Sequence, residues 1–439
     1  MTRRIDPKEY GKMSMTRDEN ELITRTGPGT AMGEVMRRYW IPSALSSELP
    51  EPDCPPVRVK LLGERLVAFR DSQGRVGIVD EFCAHRRASL FLGRNEESGL
   101  RCVYHGWKFD VDGRCVDMPS EPPESDFKDK IQLKAYPTVE LGGVLWTYMG
   151  PKDQRPALPK FEWTEVPAGQ RLVSKSWQEC NWLQALEGGF DDAHASFLHS
   201  VVDPKTPRAG TRRFWIESRI SKVEVKLADY GYLCGATHLL NDHENMIWTA
   251  HFVMPFHQLR ASFVAGQIQD SMTEGHMWVP MDDENCMVYN WMYDFADAAI
   301  SADKMAAIEQ ARGRGEHEQT ADFRKIRNKD NDWLIDRRIQ KYETYTGIEG
   351  INTQDHAITE SMEPIVDRTQ EHLGTTDRAV VIGRHLLIQA AHNLRQGKEL
   401  IGLRPSYYKI RAIGKVIPIQ VHWLDAMKHE LYPDGKRDI

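Results

Sequence analysis

Four residues able to bind a soft or borderline metal stand in two short pairs, Cys83-Ala-His85 and Cys102-Val-Tyr-His105, with sixteen residues between the pairs. A Cys-x-His and a Cys-x-x-His pair can each bend round one edge of a [2Fe–2S] cluster. Two thiolates then hold one iron and two imidazoles the other, which raises the reduction potential above that of an all-cysteine cluster. The same four atoms would also satisfy a structural zinc ion in tetrahedral geometry. Zinc fingers place both cysteines in one pair and both histidines in the other. Each pair here is mixed, which favours iron and sulfide.

A second set lies in Glu187-Gly-Gly-Phe-Asp191-Asp192-Ala-His194-Ala-Ser-Phe-Leu-His199. Asp191 and His194, three residues apart, share a face if helical, so the carboxylate can orient the imidazole through its second nitrogen. His194 and His199 are five apart, roughly 500° of helical turn. One metal takes both only where the helix loosens or ends, and Gly188-Gly189 gives a reason for such irregularity. Taken alone, the histidine pair is more often a core residue beside a solvated one.

In combination, Cys83-x-His85-Arg86, Cys102-x-x-His105-Gly106-Trp107 and the downstream Asp191-x-x-His194-x4-His199 resemble the Rieske non-heme iron oxygenases, most of all the phthalate dioxygenase subgroup. Further stretches carry the likeness: Glu21-Leu-Ile-Thr-Arg-Thr-Gly-Pro-Gly, Arg37-Arg-Tyr-Trp-Ile-Pro, residues 80–90, and Glu360-Ser-Met-Glu-Pro-Ile-Val-Asp-Arg-Thr. The resemblance implies that Cys83, His85, Cys102 and His105 hold a Rieske cluster and that His194 and His199 hold a mononuclear Fe(II). A distant carboxylate would complete a triad with open positions for O2. Asp355, in Asn352-Thr-Gln-Asp-His-Ala-Ile-Thr-Glu360, matches the family's motif and is preferred to Glu360 or Glu363; the structural alternative is an aspartate favoured near a helix start. Asp191 would bridge His105 of one subunit and His194 of the next in a head-to-tail trimer, which stacks into hexamers in some members. Three positions depart from the family pattern: Glu187 for Asn, Val103 for Pro and Arg87 for Gly.

The same resemblance implies a terminal oxygenase fed by a separate reductase that carries FMN and a plant-type [2Fe–2S] cluster and takes electrons from NADH. No Gly-rich dinucleotide fingerprint occurs in the chain, in agreement. Substrates in this subgroup are aromatic carboxylates, for which a buried cationic partner is needed. Arg260 is the first candidate and Arg219 the second. The expected reaction is phthalate-type ring cis-dihydroxylation. The alternative is O-demethylation of a methoxylated aromatic acid such as a lignin-derived biphenyl dicarboxylate. A Rieske electron-transfer protein with a vestigial second domain is the reading from a different class, and about two irons per chain instead of three would mark it.

These residues need elements to position them, and 439 residues far exceed the hundred or so of a lone cluster domain. Short alternating runs at 57–61, 66–69, 76–79 and 144–148 predict a small antiparallel β-domain with the ligands in loops, and Asp112-Gly113 predicts a hairpin. Proline-rich residues 118–123 read either as a rigid cover over the cluster or as a surface loop. Another proline-rich stretch, 151–159, marks a boundary. Beyond it, a helix over about 182–200 and alternating runs at 171–177, 223–233, 246–254, 261–268, 275–279 and 286–293 predict helices on a large antiparallel sheet. After Thr376-Asp377 a helix places Val380, Leu386, Leu387, Ala390, Ala391 and Leu394 on one face. The charged residues 301–345 read as a solvated excursion.

The expected fold class is therefore α+β. Residues 1–40 form an N-terminal arm and helical segment, 41–155 the Rieske domain, and 156–439 the catalytic domain, which the resemblance implies is of the helix-grip (Bet v1/START-like) kind. No apolar run is long enough to span a bilayer and the N-terminus carries no apolar signal core, so a cytoplasmic protein without a membrane partner is expected. A net charge of −7 with interspersed basic residues argues against nucleic acid. The other five of seven cysteines are predicted to be free and buried.

Overall fold

A computed structural model describes residues 14–122, 124–206, 220–264, 267–296 and 298–435. Arg219 and most of the expected N-terminal arm lie outside the described residues. Two compact units divide the chain: Thr26–Leu158 with Pro280–Asp282, and Pro159–Val279 with Asp283–Ile439 and the segment that ends at Arg25. The stretch 1–40, read from sequence as one segment, thus divides after Arg25. The reason lies in the helix Arg17–Thr24, closed at its start by a Thr16–Glu19 capping box. Its buried Asn20 donates Nδ2 to the Val366 carbonyl at 3.0 Å and accepts from Arg368, which anchors the helix to the larger unit.

The smaller unit is three short antiparallel sheets. Val57–Leu61, Glu64–Arg70, Val76–Asp80 and Ala135–Tyr136 form one, and Arg94–Glu96, Gly99–Arg101, Lys108–Phe109 and Cys115–Asp117 the next; Trp40–Leu45, Val144–Tyr148 and Thr138–Leu141 form the third. Val67, Phe69, Val79, Leu100 and Phe109 fill the core between them and are wholly buried.

The larger unit is an eight-stranded antiparallel sheet. Its order runs Arg171–Gln178, Cys286–Asp294, Gln267–Pro280, His257–Val264, Glu244–Val253, Gly231–Leu239, Ile220–Ala228, with Gly414–Pro418 also pairing Glu244–Val253. The helix Arg378–Arg395 buries Val380, Leu386, Leu387, Ala390 and Ala391 and packs on strands Ile220–Ala228 and Gly231–Leu239. This is the α+β, helix-on-sheet architecture expected from sequence. No helix among the described residues is long and apolar enough to cross a membrane. All seven cysteines are free and buried.

Two sequence expectations need correction. The run 223–233 is not one strand: the chain turns at Asp229-Tyr230, and Gly231, with φ +150°, packs under the Phe252 carbonyl where a Cβ would come within 2.1 Å. Residues 301–345 are not a solvated excursion either. They contain the helices Ala302–Ala311 and Arg337–Tyr342, and Arg312, Arg314 and Lys325 are buried. Arg312 pairs with Glu274 and Arg314 Nη2 with Glu309, and Lys325 donates to the Gly313 carbonyl, so each buried cation has at least one partner.

Candidate metal centres

Cys83 and Cys102 lie at the start of two loops with the same backbone plan. In one, Cys83 N–H donates to the Ala88 carbonyl at 2.9 Å and Arg87 N–H to the Cys83 carbonyl at 3.0 Å; in the other, Cys102 N–H donates to Trp107 at 2.8 Å and Gly106 N–H to Cys102 at 2.9 Å. Arg87 and Gly106 hold equivalent positions and both have positive φ, +61° and +77°. Glycine suits that conformation, and a side chain there costs roughly 1 kcal/mol. Arg87 offsets the cost by lying over the Phe82 ring and pairing with Asp80 at 3.3 Å.

The cysteines are 1% and 3% exposed, and burial, with Cys102 alongside, pushes the Cys83 thiol up to about 11. A metal is what turns such thiols into thiolates. The His85 and His105 rings lie 4.4 Å apart, nearer the surface, and His85 stacks on Trp107 at 4.5 Å. His85 Nδ1 is buried with no hydrogen-bond partner among the described residues, which suits an atom reserved for iron. Residues 118–122 pack against this loop: Ser120 accepts from Trp107 Nε1 at 3.0 Å, and a Cβ on Gly106 would meet Pro119 at 2.6 Å.

In the larger unit the helix Trp182–Phe190 stops at Asp191, whose backbone is extended, and a short turn of helix resumes over Ala195–Leu198. This break replaces the single helix expected over 182–200 and supplies the irregularity that a five-residue histidine spacing demands. The second helix, Ile351–Glu360, carries Asp355 in its second turn. His194, His199 and Asp355 offer ligand atoms that all lie within 4.8 Å of one another. His194 Nε2 is 3.5 Å and His199 Nε2 3.2 Å from Asp355 Oδ1.

The surrounding bonds set the two rings. Gln354 donates Nε2 to the Ile348 carbonyl at 2.7 Å, which points its Oε1 at His199 Nδ1, 2.8 Å away. The His199 proton therefore sits on Nδ1 and the lone pair on Nε2. His194 turns Nδ1 toward Asp191 Oδ2 at 3.6 Å, while Asp191 Oδ1 accepts from Ala193 N–H at 2.8 Å. Asn352 Nδ2 donates to Asp355 Oδ2 at 3.1 Å. Two imidazole Nε2 atoms and a carboxylate oxygen converge on one point, a donor set that fits a bound cation. Burial opposes charge on His194, but Asp191 and Asp355 outweigh it and hold the imidazole up to about 10. Burial would raise Asp355, yet His199 and His194 keep it well below the usual carboxylate range.

Of the other residues raised by the sequence, Glu360 does not join this group: its oxygens accept from Glu179 N–H at 3.0 Å and Trp333 Nε1 at 2.8 Å. Glu363 is likewise not among the three converging donors. Next to the donors lies a cavity of about 230 Å³, lined by His194 and Asp355 and by Gln258, Arg260, His276 and Asn290 from the sheet. Arg260 turns Nε and Nη2 to Glu274 Oε1, each at 2.8 Å. Arg312 holds the other oxygen of Glu274. Burial would raise Glu274, but Arg312 and Arg260 outweigh it and bring it to about 2.

Glu187, one of the three departures from the family pattern, received no role from the sequence. It lies buried between Arg368 Nη2 at 2.8 Å and Arg384 Nε at 2.6 Å, and Arg384 also takes Glu371 with both Nη atoms. The isolated Arg368 and Arg384, far along a chain full of arginines, gave no pattern by which to find it.

Residues 39–137 match the family of the Rieske [2Fe–2S] domain, and residues 147–437 the family described as LigXa C-terminal domain like. The chain is 39% identical to the 3-chlorobenzoate-3,4-dioxygenase oxygenase subunit of Comamonas testosteroni, over 95% of this chain and 99% of that one. To the phthalate 4,5-dioxygenase oxygenase subunit of Pseudomonas putida it is 37% identical over 94% of each. A solved structure of the Pseudomonas putida CBB5 NdmA QL mutant with theobromine shares the fold, with a TM-score of 0.59 at 19% identity, over 83% of this chain and 93% of that one. Cluster loops, a second three-donor centre and likeness along nearly the whole length converge on one assignment: the chain belongs to the Rieske non-heme iron oxygenases, as an oxygenase subunit with a Rieske [2Fe–2S] domain and a LigXa-C-like catalytic domain.

Proposed function

We propose that this chain is the terminal oxygenase for ring cis-dihydroxylation of an aromatic carboxylate of the phthalate class. Cys83 and Cys102 hold one iron of the cluster and His85 and His105 the other; His194, His199 and Asp355 hold the mononuclear iron. When bound, the two centres supply electrons and O2 activation. Asp191 orients His194. Electrons come from a separate NADH-dependent reductase with FMN and a plant-type cluster, and the working assembly is a homotrimer or a stack of two.

The observation that carries the substrate class is Arg260 on the wall of the cavity. Arg260 and Arg312 share the one carboxylate of Glu274, and among the described residues Arg260 has Nη1 uncommitted on a side chain 31% exposed. That edge suits a carboxylate. Arg384, also on the cavity wall, is already matched by Glu187 and Glu371 and offers no such charge.

Single-turnover chemistry tests the reading: the protein is reduced with dithionite, freed of reductant, exposed to O2 with phthalate isomers or methoxylated aromatic acids, and the products are weighed by mass spectrometry. Gain of two oxygens and two hydrogens, with two electrons and two protons taken up, is the expected result. Loss of CH2 with release of formaldehyde would replace dihydroxylation by O-demethylation. Cluster reoxidation without product from any acid would overturn the carboxylate reading and Arg260 with it.

A further inference from the structure

Beside the cationic edge, the same cavity wall carries a group that accepts and does not donate. His276, on strand Gln267–Pro280, stands opposite Gln258 and one diagonal step from Arg260 in the register of the two strands, an arrangement that sets the two residues roughly 7–8 Å apart, with their Cβ atoms somewhat closer. His276 is 5% exposed and lines the cavity. On strand Cys286–Asp294, Asn290 directs Nδ2 to the Val288 carbonyl at 3.4 Å and so presents Oδ1 to His276 Nδ1 at 2.8 Å. The ring proton is therefore on Nδ1, and Nε2 is a lone pair with no hydrogen bond among the described residues.

A second proton on this ring is disfavoured. Burial, Arg260, Arg314 and Arg312 all oppose it and outweigh Glu274, which lowers the imidazole well below its ordinary range. An ionised carboxylate placed at Nε2 would face a lone pair with no proton between them. A hydroxyl or amino group would supply that proton.

We propose that His276 Nε2, positioned by Asn290, is an acceptor subsite for a hydrogen-bond donor on the substrate ring, so that the preferred substrate carries a hydroxyl or amino group as well as the carboxylate taken by Arg260. The acid half of this statement rests on the function proposed above; the donor half rests on His276 and Asn290 alone. Within the phthalate class it favours hydroxylated or aminated ring acids over those whose second substituent is another carboxylate.

Neutral probes separate the two halves. Phenol, anisole and toluene carry no charge for Arg260 to read, and only phenol has a donor. With the iron-loaded, cluster-containing protein, equilibrium binding should favour phenol over anisole and toluene by about tenfold, the worth of one satisfied hydrogen bond. His276→Phe, which keeps a ring in place, should erase that preference. Asn290→Leu, which frees the tautomer and leaves the histidine in place, should weaken it. Iron content and circular dichroism confirm folding of both variants. Equal affinities in the wild-type protein, no binding of phenol, or a preference that persists in both variants would overturn the subsite. Benzoate measured alongside reports on Arg260: if it fails to bind while the phenol preference holds, the carboxylate reading falls and the subsite stands.

Discussion

Cys83, His85, Cys102 and His105 come from two neighbouring loops that repeat one backbone plan, whereas His194, His199 and Asp355 come from a broken helix and from a second helix far along the chain, where Gln354 meets His199 across 155 positions. Local hydrogen bonds, each within a few residues, shape the first set. The second depends on side chains that tie helix Ile351–Glu360 to its neighbours: from helix Trp182–Phe190, Gln184 Nε2 donates to the Thr359 carbonyl at 2.9 Å, and from the end of strand Arg171–Gln178, Gln178 Nε2 donates to Thr359 Oγ1 at 2.7 Å. One centre is thus specified by its own loops and the other by the packing of the whole larger unit. Changes remote from the ligands should therefore disturb the mononuclear site and spare the cluster.

The largest effect expected is at a ligand itself. Asp355→Ala removes the one carboxylate that faces both Nε2 lone pairs, and the protein should lose its mononuclear iron outright, falling from about three irons per chain to about two, while the cluster's visible absorption is unchanged. Iron quantitation beside that spectrum decides the matter. A variant that keeps the third iron would show that Asp355 is not a ligand, and one that loses the cluster as well would break the contrast between the two centres.

Next in size is the ion network around Glu187. Glu187→Gln leaves Arg368 and part of Arg384 buried without their counter-charge, which costs about 3–5 kcal/mol of unfolding free energy. Denaturant unfolding followed by far-UV circular dichroism reads the loss. The cluster absorption of the folded variant should match that of the wild-type protein. Acid gives the same test without mutation. Burial would raise Glu187, but Arg368 and Arg384 outweigh it and bring it to about 2, below the ordinary 4.5. A depressed carboxylate contributes stability above its unfolded value and loses it as the pH falls, here between pH 4.5 and 2. The Gln variant should show a shallower loss over that window. An equal loss in both proteins would assign the acid sensitivity to other groups, Glu274 first among them.

The same contrast explains what could be read from the sequence. The cluster set was legible because all four residues and their turns fall within two short stretches, and Asp191, His194 and His199 because their spacing is a local quantity. Even the helix break was implied, since five residues cannot put two histidines on one helical face. Asp355 could be placed only through a family motif. Glu187, Arg312, Arg314 and Lys325 were misread or passed over because a charged residue declares its burial only through a partner, and those partners are set by tertiary contacts that no spacing records. His276 lay within a recognised strand, and alternation with Glu274 and Trp278 puts all three on one face. Nothing in that spacing marked the face as the one that fronts the cavity.

Gln354 tests the contrast most finely, because it touches no metal and sits between two ligands' elements. Its Oε1 accepts from His199 Nδ1–H and its own orientation is locked by the Ile348 carbonyl. Gln354→Leu keeps the volume but removes the acceptor, so His199 can carry its proton on either nitrogen and turn its lone pair away from Asp355. Partners of this kind are worth 10–100-fold in metal affinity, and Fe(II) or Co(II) titration of the metal-depleted centre should show a loss of about that size. Gln354→Glu restores an acceptor for Nδ1–H and should recover part of it. The cluster, held in its own loops, should keep its spectrum in both variants. If Leu and Glu were equally weak, Gln354 would matter through its bond to Ile348 and not through His199. If neither changed the affinity, His199 would be held by packing alone, and the mononuclear centre would depend on its distant contacts less than the geometry requires.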